Sequence, residues 1–81
     1  MGWTVQIDPT AETWHISART YLAIEPLLRD YDMRYCYIRP SRQALDTLRS
    51  LERTDPEESR VIGQILDTLE RRKRVELLFG N

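Results

Sequence analysis

The stretch Thr54-Asp55-Pro56-Glu57-Glu58, followed by Val61, Ile62, Ile65, Leu66 and Leu69, constrains the fold of this chain more than any other. Apolar residues at spacings of three and four line one face of a helix, and such a face has to be buried against something. Asp55 is placed to accept a hydrogen bond from an unpaired amide of the first turn, and Pro56 sits where a missing N–H costs nothing. Glu57 and Glu58 complement the positive end of the helix dipole. The pattern predicts a helix from this start to residue 79, stopped by Gly80. Upstream, Ser41 follows Pro40 as an N-cap, and Ala44, Leu45, Leu48 and Leu51 form a second stripe that ends near Arg53. A connection as short as Arg53 to Asp55 makes the two helices run antiparallel as a hairpin.

The N-terminal half supplies strands for that hairpin to cover. Trp3, Val5 and Ile7 alternate with Thr4, Gln6 and Asp8, the period-two pattern of a strand with one covered face. Asp8-Pro9-Thr10-Ala11 reads as a turn, after which Trp14 and Ile16 resume the alternation. Met33 to Ile38 is aromatic-rich and closed by Pro40, and predicts a further strand with Met33, Tyr35 and Tyr37 on one side and Arg34, Cys36 and Ile38 on the other. Between them, Tyr21, Ile24, Leu28 and Tyr31 recur at helical spacing with Pro26 inside the stretch. An interior proline costs a helix about 3 kcal/mol, so a kinked helix is expected here, the alternative being a strand to residue 24 and a short helix from Glu25. The expected fold is a single α+β domain over residues 1–81. A small antiparallel sheet of about three strands would pack against a C-terminal helical hairpin, in the order β-β-α-β-α-α.

A chain of 81 residues buries only about 60 to 65% of the surface that its unfolded form exposes, so its core is small. At about 0.05 to 0.1 kcal/mol per residue its stability would be roughly 4 to 8 kcal/mol, so a partner or a second copy could contribute appreciably and a homo-oligomer stays open. Hydrophobic residues at 41% and charged residues at 31% exclude a disordered chain. No apolar run approaches the roughly 20 residues of a membrane span, and Met1 to Gln6 lacks the basic and apolar regions of a secretory signal. A cytoplasmic location without membrane attachment is the expectation.

Catalytic residue types are scarce. With one cysteine, Cys36, and one histidine, His15, neither an internal disulfide nor a structural zinc site can be assembled, and no metal or cofactor is expected. The same two residues could meet on neighbouring strands as a thiolate and imidazole, but no third orienting group or glycine-rich turn accompanies them, so an enzyme is not expected. Asp30 with Asp32 fits a solvated turn, and Glu57 with Glu58 is accounted for by the helix start.

Binding residues are more plentiful. The net charge of −1 divides into −3 over residues 1–32 and +2 over residues 33–81, and eleven of the twelve basic residues are arginine. That preference suits bidentate contacts to carboxylate or phosphate, although coding composition can produce it equally. Arg71, Arg72, Lys73 and Arg74 form the densest run. Asp67, Glu70 and Glu76 lie three or four residues from members of it, so a solvated helix end is expected, with a patch for acidic protein or nucleic acid as the alternative. Arg34, Tyr35, Tyr37, Arg39 and Arg42 interleave aromatic and basic groups, a mixture found in nucleic-acid readers, in protein-binding faces and in tyrosines packed under helices. The overall charge and a sequence pI near 5.8 argue against a nucleic-acid domain. Trp3 and Trp14 would share a sheet face, as core or as an interface anchor; Trp3 joins Tyr35, Tyr37, Arg39 and Arg42 as a candidate protein-binding residue.

The run Trp14 to Arg19, a helix with Leu27-Leu28, the strand to Ile38, and Ala44-Leu45 through Asp55-Pro56-Glu57 resemble Phd/YefM-type antitoxins. The resemblance implies a body that dimerises on DNA and a C-terminal tail that neutralises a toxin. This chain is expected to place one strand where that family has a hairpin between helices, and no diagnostic motif is met, so no residue role is carried over. The residues themselves point to a non-catalytic interaction module: a regulator or inhibitor that occludes a larger protein, of the type phages and mobile elements direct at host defence complexes. The alternative is a DNA-binding or antitoxin-like transcriptional regulator.

Overall fold

A computed structural model describes residues 2–8, 12–30, 35–54, 56 and 58–80, with Asp30 described by its backbone. The chain forms β1 (Gly2–Ile7), β2 (Thr13–Ser17), α1 (Ala18–Ile24), a 3₁₀ turn (Glu25–Leu27), β3 (Arg29–Asp30), β4 (Tyr35–Ile38), α2 (Arg42–Thr54), α3 (Ser59–Arg71) and β5 (Val75–Gly80). The strands make one five-stranded sheet in the order β2-β1-β5-β4-β3, and every pairing is antiparallel. The fold is α+β.

Alternation along each strand divides the sheet into two faces. Val5, Ile7, Ile16, Cys36, Ile38, Val75, Leu77 and Phe79 are buried on one of them. Their registers agree, with Val5 opposite Phe79, Ile7 opposite Leu77 and Cys36 opposite Leu77. Against this face lie Ala44 and Leu48 of α2 and the full expected stripe of α3, Val61, Ile62, Ile65, Leu66 and Leu69. Helices α2 and α3 pack on each other as the hairpin the short connection requires, while α1 lies against β1, β2 and α2. Trp3 stacks on Tyr21 at 4.2 Å between ring centroids, and Tyr21 meets the edge of Phe79 at 5.2 Å.

Two serines cap helices as their chemistry suggests. Ser41 Oγ accepts from the Ala44 N–H at 3.1 Å at the start of α2. Ser17 Oγ accepts from the Thr20 N–H at 3.2 Å at the start of α1, and the Ser17 N–H donates to Glu58 Oε1 at 2.6 Å. The end of β2, the first turn of α1 and the start of α3 are thereby tied at one point.

Four expectations are corrected. The last helix stops at Arg71, and residues 75–80 form the central strand of the sheet, so the helical hairpin is not C-terminal and the order gains a final strand. The reason lies in period: continued past Leu69, the helical stripe would fall on Arg72, Lys73 and Glu76, whereas Val75, Leu77 and Phe79 bury every second side chain. The sheet has four strands of four residues or more and a two-residue fifth, β3, which makes a hairpin with β4 where a single strand was expected. The helix around Pro26 is shorter than expected: α1 ends at Ile24 and passes directly into the 3₁₀ turn, at whose start the fixed φ of Pro26 fits, while Arg29–Asp30 is strand, residues 18–24 are helix where the alternative had strand, and Tyr31 lies outside the described residues. Finally, α3 starts at Ser59 with Glu58 in the N-cap position and Pro56 in the preceding turn. Asp55, Glu57, Met33, Arg34 and Asp32, which also carried expectations, lie outside the described residues. No helix among the described residues is long and apolar enough to cross a membrane.

Candidate functional site

Among the described residues, the second face of the sheet carries no helix. Antiparallel sheets tolerate this, because strands that alternate apolar and polar residues can leave one face solvated. The register writes the surface in rows. Gln6 faces Leu78, which faces Tyr35 on its other side; in the next row Glu76 faces Tyr37, which faces Arg29. Asp8 joins the second row by donating its N–H to the Glu76 carbonyl at 3.0 Å. Tyr35 is 48% exposed, one of two large hydrophobic side chains so open among the described residues; the other, Leu22, stands alone on α1.

Pairing of Ile38 with Val75 fixes what lies at the end of this face. It sets the exit of β4, with Arg39, beside the entry to β5, with Arg72, Lys73 and Arg74. Two groups of residues some thirty positions apart in sequence thus line one open groove of about 530 Å³, together with Asp8 and Glu76. A hollow of about 140 Å³ that includes Gln6, Tyr35 and Leu78 shares Asp8 and Glu76 with the groove, so aromatic, apolar and cationic parts form a continuous surface.

Inside the groove the cations differ in role. Arg74 Nη2 donates to Glu76 Oε1 at 3.2 Å, and its guanidinium lies 5.0 Å from the Tyr37 ring centroid. Arg39 also lies over that ring, at 5.6 Å. Both contacts are within cation–π range of the Tyr37 ring. Arg72 and Lys73 are exposed, and among the described residues neither makes an ion pair.

The expected binding residues are therefore partly gathered and partly dispersed. Tyr35, Tyr37, Arg39, Arg72, Lys73 and Arg74 share the open face or its rim. The tyrosines are not packed under the helical hairpin, since Cys36 and Ile38 take that side. Arg42 opens α2 as an exposed residue and does not line the groove. Arg71 belongs to α3 and pairs with Asp67 one turn earlier, as the spacing suggested, whereas Arg74 pairs with Glu76 and not with Glu70. Trp3 lies on the helix-covered face, as does Trp14, over which Arg60 sits at 5.8 Å. Leu78 is not singled out by the sequence, Glu76 only as a neighbour of the basic run and Asp8 only as a strand and turn residue; the alternation Val75-Glu76-Leu77 was the available signal for the open face of this strand.

His15 and Cys36 do not meet. His15 is exposed on the open face of β2, Cys36 is buried on the helix face of β4, and β1 and β5 lie between their strands. No group of three or more His, Cys, Asp or Glu side chains among the described residues is placed to hold a metal ion. Comparison with family models, with curated proteins and with solved structures finds no match to this chain.

Proposed function

We propose that this protein is a non-catalytic interaction module, a small cytoplasmic regulator or inhibitor that lays the open face of its sheet on a larger protein and occludes a site there. The observation that carries the reading is Tyr35, half exposed beside Leu78 in the row next to the one that borders the arginine-lined groove. Tyrosine and arginine supply disproportionate binding energy because each combines a large contact area with directed hydrogen bonds. A rigid strand presents them with little ordering cost on association. The test is capture from a host extract on immobilised wild-type protein and on Tyr35→Ala. A partner held by the first and lost by the second supports the reading; capture indifferent to the substitution, or no capture, overturns it.

The cations of the groove favour a second reading, a nucleic-acid-binding regulator that uses Arg39, Arg72 and Lys73 on phosphates. Such binding would weaken along a straight line of log affinity against log salt, with a slope of roughly −0.7 to −0.9 per phosphate neutralised. Absence of any gel retardation at low salt removes it.

A further inference from the structure

We infer that the occupant of the cationic groove is an acidic segment of a protein partner, its carboxylates on Arg39, Arg72 and Lys73 and an adjoining apolar side chain on Tyr35 and Leu78; this rests on the docking reading above. Three observations select that chemistry. The first is the division of labour among the cations. Arg74 is engaged by Glu76 and by the Tyr37 ring, Arg39 by that ring but by no carboxylate, and Arg72 and Lys73 by neither; Arg39, Arg72 and Lys73 are all exposed and, among the described residues, have no ion pair. Arg74 is then a positioning residue that stiffens the groove floor, and the other three reach the ligand.

The second is the presence of Asp8 and Glu76 in the same groove. A DNA phosphate backbone carries charge at every unit and has no donor for the Asp8 carboxylate, Glu76 being already engaged by Arg74. A peptide can space its carboxylates and offers backbone N–H groups between them. The third is the state of the aromatic rings. Proteins that hold single strands stack successive bases on open ring faces. Tyr37 has two guanidiniums over its ring, which leaves Tyr35, next to Leu78, as a single apolar anchor. One anchor beside a cationic rim fits one apolar side chain within an acidic sequence.

Fluorescence anisotropy with three labelled probes of equal length tests this: a peptide of repeating Glu-Glu-Leu, its Gln-Gln-Leu counterpart, and an oligo-dT. The acidic peptide should bind at low salt and the glutamine peptide should not. The double variant Arg39→Glu/Lys73→Glu should weaken the acidic peptide by about tenfold or more, as expected when attraction becomes repulsion at a rim. Arg39→Gln/Lys73→Gln should give an intermediate loss, and thermal melts of both variants should match the wild type, because both side chains are exposed. Unchanged affinity after charge reversal, tighter binding of oligo-dT, or no binding of the acidic peptide would each overturn the inference. Failure of the acidic peptide while capture still depends on Tyr35 removes the groove assignment and leaves the docking reading standing. Capture that ignores Tyr35→Ala removes the docking reading itself.

Discussion

The two faces of the sheet are cut from the same strands, yet they obey different rules. On the covered face, Val5, Ile38, Val75 and Leu77 are at most 1% exposed and each fills space that no other residue can. On the open face, Thr4, Gln6, Tyr37, Glu76 and Leu78 are partly exposed, and charge and aromatic contacts replace close packing. The contrast shows where stability and recognition reside. Burial supplies most of the folding free energy, so the covered face has little freedom to vary, while the open face can carry binding groups at small cost to the fold.

Leu77 and Leu78 put this contrast to its sharpest test, being chain neighbours on opposite faces of β5. Leu77→Ala should cost about 2 to 5 kcal/mol in urea denaturation, because a cavity opens at the centre of the core. Against a total of roughly 4 to 8 kcal/mol, that removes from about a quarter to all of the stability. Leu78→Ala should cost less than about 1 kcal/mol, as expected for a partly exposed position. Equal losses at the two positions would break the division between faces.

Glu58→Ala comes next, at about 1 to 3 kcal/mol. It removes the charged acceptor of the Ser17 N–H and with it the tie between β2, α1 and α3. A loss below about 0.5 kcal/mol would mean that packing alone holds that junction.

Gly63→Ala runs in the opposite direction. Gly63 is inside α3, where glycine is disfavoured, and an added methyl group would come 3.0 Å from Glu52 Oε2, the end of a side chain able to swing aside. A gain of about 0.5 to 1 kcal/mol in thermal or chemical denaturation is expected. Destabilisation instead would show that Glu52 is held rigidly and that the helical hairpin is packed as tightly there as the sheet. Arg71→Ala should have the smallest effect, under about 0.5 kcal/mol and fading as salt is added, because the Arg71 to Asp67 pair is exposed. A larger loss would place Arg71 among residues that matter to the fold.

Much of the covered face was legible from the residues alone. The stripes of α2 and α3 name their own buried side, and the alternation of β1 and β2 does the same, since period is a local property of sequence. The last strand was misread because Leu77-Leu78-Phe79 after a well-capped helix looks like more of that helix, and helix propensity does not register that two neighbouring strands await a partner. β5 pairs with β1 on one side and β4 on the other, and contacts so distant in sequence leave no local mark. Tyr35, Tyr37, Arg39 and Arg72 to Arg74 were each suspected, but as two separate groups. Their meeting depends on the pairing of Ile38 with Val75, which follows only if residues 75–80 are a strand.

Sequence by itself determined the α+β class, the helical hairpin with its inner stripe, and which residues of β1 and β2 turn toward it. The 3.6- and two-residue periods of burial are enforced by backbone geometry wherever apolar residues must leave water. Tertiary structure alone decided the place of β5 at the centre of the sheet, the face on which Tyr35 and Tyr37 lie relative to the helices, and the single groove that Arg39 shares with Arg72, Lys73 and Arg74. The physical reason is that strand order and register are chosen by the free energy of closing the whole core, a quantity to which every strand contributes and no segment can report alone.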